Sequence, residues 1–137
     1  MRRLLVLVII ILAVAAGPIP ILAGSADVVK QKTEAAFREY LKSGNFLAGE
    51  GRYAAAAESY RNAIEVNPRS AEAYSLLGSA LDQAGNPREA EEALRKAVSL
   101  KPNFAEGYFH LGNFLKSQKR MSEAEEAFRK ARQYQGR

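Results

Sequence analysis

The sequence predicts an all-α fold: three stacked helix-turn-helix units, forming an alpha-alpha superhelix, behind an N-terminal hydrophobic helix. Two observations predict the stack and a third the leading segment. The chain repeats itself every 34 residues: Gly44, Gly78 and Gly112 keep that step, as do Ala56, Ala90 and Ala124, then Ala63, Ala97 and Ala131, and Pro68 with Pro102. A fixed period of this length marks a stacked repeat protein. Within each period the apolar residues fall into two short amphipathic helices joined by a tight turn. Ahead of them, residues 4–16 form a run of 13 apolar residues without a charge.

The chain has 137 residues, enough for one domain with a buried core. It has no cysteine, which excludes disulfides, thiolate metal sites, a cysteine nucleophile and covalent haem attachment. Net charge is +5, and Arg2 and Arg3 supply two of those charges; without them 18 basic residues face 15 acidic ones. That bias falls short of a nucleic-acid footprint, so no nucleic-acid partner is expected. The excess lies late, with seven basic residues and three Glu between 116 and 137. A solvated helix face explains it; the sharper alternative is weak attraction to anionic lipid or an acidic partner.

Residues 1–26 are a different kind of sequence. Arg2 and Arg3 precede the apolar run, Gly17, Pro18 and Pro20 follow it, and the first acidic residue is Asp27. This is the layout of a secretory signal, with small residues at a cut after Ala23, Ser25 or Ala26. The competing reading is an uncleaved transmembrane anchor, since residues 4–23 are 20 uncharged residues and about 20 span a bilayer. Either way the flanking positive charge stays inside, which places the repeats outside the cytoplasm, periplasmic or secreted. An anchor would make the membrane a partner through residues 1–26.

The stretch 27–42 is amphipathic, with Val29, Ala36, Phe37, Tyr40 and Leu41 roughly on one side and Asp27 as a plausible N-cap. It is expected to run into the first repeat helix as an extension over 27–36. The expected helices cover 27–48, 52–66, 71–84, 87–100, 105–118 and 121–134. In the fourth, Asn86 can cap, Pro87 takes the first helical position and Glu89 can complete a capping box.

Set in register, the units 37–70, 71–104 and 105–137 closely resemble the tetratricopeptide repeat family. The family's bulky aromatic falls on Tyr40, Tyr74 and Tyr108. Its Leu–Gly pair falls on Leu77–Gly78 and Leu111–Gly112, with Ser43–Gly44 departing in the first unit. The large apolar place of the first helix is Leu47, Leu81 and Leu115. That of the second helix is Tyr60, Leu94 and Phe128. The terminal proline is Pro68 and Pro102, replaced by Gly136 in the last unit. A mid-helix glycine costs about 1 kcal/mol against alanine, so its recurrence needs a reason. The expected reason is close approach of the second helix, where Ala56, Ala90 and Ala124 are also small. Only 133–137 follow the last repeat, so Phe128 and Tyr134 are expected on an incompletely covered flank. That end is masked by Arg129, Lys130 and Gln133, or else docks on a partner or on a second copy in self-association.

No catalytic constellation is found, so the chain reads as a non-enzyme with no cofactor and no metal. His110 is the only histidine and sits inside a helix. The clusters Glu89, Glu91, Glu92 and Glu123, Glu125, Glu126 interleave with Arg95, Lys96, Arg129 and Lys130 at spacings that suit ion pairs.

The resemblance implies a concave groove lined by first helices and filled by a protein partner, a peptide or helix segment. The groove residues it implies are Arg38, Leu41 and Asn45, with Ala48 and Gly49; Ser75, Ser79 and Asp82, with Glu72 and Gln83; and Phe109, Asn113 and Lys116, with Glu106 and Ser117. Leu41 and Phe109 are its expected apolar anchors, and Asn45 and Asn113 its amide holders. Family members that grip chaperone carboxyl termini use Lys, Asn, Asn, Lys and Arg where this chain has Leu41, Asn45, Leu76, Glu106 and His110. Only Asn45 fits, and Glu106 would repel a carboxylate, so that function is not expected. The expected function is an exported or membrane-anchored interaction scaffold for an envelope protein complex. The alternative is an accessory subunit held in a larger membrane complex through its flanks.

Overall fold

The computed structural model describes residues 20–136, with side chains from residue 24 onward. Residues 1–19, which hold the basic end and apolar run, lie outside them. The described residues form six helices and no strand: α1 Pro20–Gly49, α2 Tyr53–Val66, α3 Ala71–Gln83, α4 Pro87–Leu100, α5 Ala105–Ser117 and α6 Met121–Tyr134. Five of the six expected helices are matched within one residue at each end. The exception is α1, which begins at Pro20. Asp27 is therefore not an N-cap but an interior helical residue. The expected cut sites at 23–26 are helical as well. No helix among the described residues is long and apolar enough to cross a membrane.

The chain divides into two compact units between Glu34 and Ala35. In the first, Val28 and Val29 are exposed and the Thr33 hydroxyl donates back to the Val29 carbonyl at 2.8 Å. The second unit holds the array.

The three turns inside the hairpins share one geometry. Gly51, Gly85 and Lys119 adopt positive φ of 73°, 82° and 61°. The next residue's N–H then reaches back five residues: Arg52 to Leu47, Asn86 to Leu81 and Arg120 to Leu115, each at 2.9 Å. This is a Schellman closure, in which a left-handed residue satisfies the helix's last carbonyls. The turns between hairpins use the prolines. Helices α2 and α4 stop two residues short of Pro68 and Pro102, because the residue before a proline is pushed out of the α region. Ser70 caps α3, its Oγ accepting from Ala73 N–H at 3.1 Å.

Pro87 does occupy the start of α4, but Asn86 makes no side-chain cap there. The expected capping box fails because Glu89 is engaged elsewhere, its carboxylate 2.7 Å from Arg61 of the preceding unit. The same step recurs 34 residues later, where Arg95 reaches Glu123 at 3.5 Å. Charged pairs thus stitch successive second helices together along one surface.

The core runs through the array. Ala56, Ala63, Ala90, Ala97 and Leu94 are fully buried, and Tyr60, Leu81, Phe114 and Leu115 nearly so. The recurrent glycines do mark close approach. Their tightest neighbour is the large side chain of the second helix rather than the small alanine. A Cβ would stand 2.4 Å from the Tyr60 ring at Gly44, 2.5 Å from Leu94 Cγ at Gly78 and 2.6 Å from the Phe128 ring at Gly112.

Candidate peptide groove

Helix α1 gives Asn45 and Ala48 to a cleft of about 210 Å³, helix α2 gives Tyr53 and Tyr60, and helix α3 gives Leu76, Ser79, Ala80 and Gln83. The cleft lies at the joint between the first and second hairpins. Its floor is set by Tyr60, which fills the space that Gly44 leaves open. The Tyr60 hydroxyl donates to Asn45 Oδ1 at 2.7 Å. That bond commits the Asn45 carbonyl oxygen and turns its amide N–H groups toward other acceptors. Burial pushes the Tyr60 phenol upward, so it stays a protonated donor.

Of the expected groove residues, Asn45 and Ser79 meet here. Asp82, half-buried, follows on α3. Burial raises its carboxyl, and nearby Ser117 only partly offsets this. Asn113 and Lys116 on α5 and Arg38 on α1 are exposed.

Three assignments need correction. Leu41 is 9% exposed and part of the core, so it cannot anchor a partner. Ser75 is 1% exposed and equally out of reach. Both hold the fifth place of the repeat, which the following hairpin covers. Phe109 holds that place too and is 51% exposed, with no following hairpin over it among the described residues. It lines a different cleft of about 340 Å³ with Ala105, Glu106, Ala131 and Gln135, at the end of the array. Its ring lies 5.9 Å from that of half-buried Phe128. Tyr134 is less bare than expected, stacked on Tyr108 at 5.8 Å.

Tyr53 and Tyr60 are groove residues that sequence reasoning missed. Tyr60 read as core, which it is, and it also lines the cleft, with its hydroxyl bonded to Asn45. The available signal was an aromatic with a polar end at a place filled by Leu94 and Phe128 in the other units.

His110 Nε2 lies 3.6 Å from Glu106 Oε1 on the same helix. Among the described residues no three acidic or histidine side chains gather to hold a metal.

The tetratricopeptide repeat family model matches residues 35–103 and again 76–137. The chain belongs to the tetratricopeptide repeat family. Solved structures agree on the fold. MamA is 30% identical with a TM-score of 0.63, over 72% of this chain and 57% of that one. PilF of Pseudomonas aeruginosa is 29% identical with a TM-score of 0.69, over 73% of this chain and 45% of that one. This tetratricopeptide repeat chain thus spans about half the length of those two. The second repeat domain of Spaghetti, solved with an HSP90 peptide bound, has a TM-score of 0.69 at 20% identity, over 78% of this chain and 98% of that one. Comparison with curated protein sequences gives no significant match.

Proposed function

We propose that this repeat array is an interaction scaffold whose groove holds a peptide or helix segment of a partner protein, outside the cytoplasm, in an envelope complex. The observation that carries the groove is the cleft at the first joint, where Asn45, Ser79 and Gln83 offer amide and hydroxyl groups around an apolar floor of Tyr60, Leu76 and Ala80. A cleft of this kind suits an extended backbone, with polar groups for its amides and an apolar patch for one side chain. Peptide binding by the Spaghetti domain supports the reading in kind. It does not transfer the ligand, because Leu41, Leu76, Glu106 and His110 replace the residues that grip a chaperone carboxylate. The extracytoplasmic placement rests on the basic residues and apolar run at 2–16.

Two experiments test this. The combined Asn45→Ala, Gln83→Ala and Asn113→Ala variant should lose its partner in a crosslinked pull-down from membranes while keeping its helical circular dichroism. An undiminished pull-down would sink the groove. A reporter active only outside the cytoplasm, fused after Arg137, should be active; a silent fusion would sink the placement.

A further inference from the structure

Each end of the array leaves bare what its interior buries. At the fifth place of the repeat Leu41 and Ser75 are 9% and 1% exposed, whereas Phe109 is 51% exposed. At the twenty-fourth place Tyr60 and Leu94 are buried, whereas Phe128 is half-buried. These residues of α5 and α6 face where a next hairpin would lie. The first hairpin shows the converse. At the tenth place Ala80 and Phe114 are 3% and 2% exposed, whereas Phe46 is 65% exposed. Ala80 is covered at the joint with the preceding hairpin, whose Tyr53 and Tyr60 line the same cleft. No preceding hairpin covers Phe46 among the described residues, and Tyr40 on the same helix is also exposed.

The charges at the two ends complement each other. Inside the chain, Gly107 backs onto the preceding hairpin, and a Cβ there would stand 3.3 Å from Val98. The place of Gly107 in the first repeat is Glu39, and the place of Val98 in the last is Arg132. A hairpin that continued the array at the same step would therefore set Glu39 against Arg132. Both side chains are exposed, and neither takes part in an ion pair among the described residues.

We propose that a second copy of this chain stacks head to tail on the first, its α1–α2 face covering Phe109 and Phe128 in the register of the 34-residue period. Phe46 and Tyr40 are buried in this joint, and Glu39 pairs with Arg132. The joint is heterologous: the two faces differ, so it extends into open chains instead of closing as a two-fold dimer. It is weaker than the interior joints. Arg129 would meet Ala55, where Arg61 and Arg95 meet Glu89 and Glu123. Assembly is therefore reversible and depends on concentration. This inference is independent of the groove.

The absence of cysteine makes the register directly testable. The full chain carrying Glu39→Cys and Arg132→Cys together, mildly oxidised, should give a ladder of disulfide-linked multimers. Each single variant should give at most a slow dimer, and a control pairing Glu39→Cys with Lys96→Cys should give no ladder. A double variant that links no faster than the control, or an Arg132→Cys chain that dimerises fastest alone, overturns the proposal. In sedimentation of the full chain in detergent, Glu39→Arg and Arg132→Glu should each weaken self-association about threefold, and the two together should restore it. No restoration overturns the pairing. A chain that stays monomeric at all concentrations overturns the joint and leaves the face to a different protein.

Discussion

Gly78 lies directly against Leu94: a Cβ built on it would stand 2.5 Å from Leu94 Cγ, with the Ala90 carbonyl oxygen at 3.0 Å. Leu94 is fully buried and cannot swing away. Gly78→Ala gains about 1 kcal/mol in helix propensity and loses about 1–3 kcal/mol to overpacking. The net should be a loss of up to about 2 kcal/mol, read from the urea midpoint. Gly112→Ala should cost less, because the Phe128 ring it meets is half-exposed and free to shift. If Gly78→Ala were the more stable protein, helix propensity alone would explain the site and close approach would not.

Lys119 holds a left-handed conformation, φ 61°, at the place where the other two hairpins have Gly51 and Gly85. A side chain there costs about 1–2 kcal/mol, partly offset by the extra chain entropy a glycine loses on folding. Lys119→Gly should stabilise the fold by about 0.5–1 kcal/mol, measured by thermal melting. An unchanged or lower melting temperature would mean that the lysine side chain makes a compensating contact.

How much of this was legible in the sequence follows the physics of each feature. Helix positions were legible because period, proline and helix-breaking turn residues all act locally. Gly78 was legible because its recurrence breaks a propensity rule. The start of α1 was not: Asp27 resembled a cap, yet nothing in 20–26 compels the helix to begin there. Leu41 and Ser75 were misplaced in the groove for a different reason. Whether the fifth place of the repeat is groove or joint depends on which hairpin packs against it, a contact between residues far apart in the chain. Glu89 failed as a cap likewise, because Arg61 competes for its carboxylate from another hairpin.

The same dependence predicts unequal costs at one place of the repeat. Leu41→Ala removes a buried side chain from the core and should cost about 2–5 kcal/mol. Phe109→Ala, half-exposed at the end of the array, should cost less than half as much despite the larger side chain. Denaturant titration of the two variants checks this. Equal losses would mean that Phe109 belongs to the interior core.

Glu91 sits between Arg95 and Arg120, 2.7 and 2.8 Å from their guanidinium nitrogens. Burial pushes its carboxyl up, but the hydrogen bonds and charges of both arginines outweigh this, and its pKa lies below 4.5. A depressed acid stabilises the fold above its unfolded pKa, and that stability is lost as pH falls through the folded pKa. Glu91→Gln should therefore be less stable than the parent at neutral pH, with the gap closing below about pH 4.5. Circular dichroism melts from pH 7 to pH 3 check the sign. A gap that persists in acid would assign the effect to packing. High salt should also narrow it, since the cluster is partly open to solvent.

Asp82 has the opposite sign. Burial raises its carboxyl above 3.8, and the Ser117 hydroxyl offsets this only in part. For an acid with a raised folded pKa, the ionised form at neutral pH costs stability, and the cost disappears as pH falls through that pKa. Asp82→Asn keeps the shape and drops the charge, so it should melt higher than the parent at pH 7. Its advantage should shrink as pH approaches 3.8. A lower melting point at pH 7 would mean that the charged carboxylate is well satisfied by Ser117 and its neighbours. A charge held at a cost beside the groove has a use if the partner carries a basic group. Asp82→Asn should then capture less partner while being the more stable fold, a combination that a purely structural role for Asp82 would not produce.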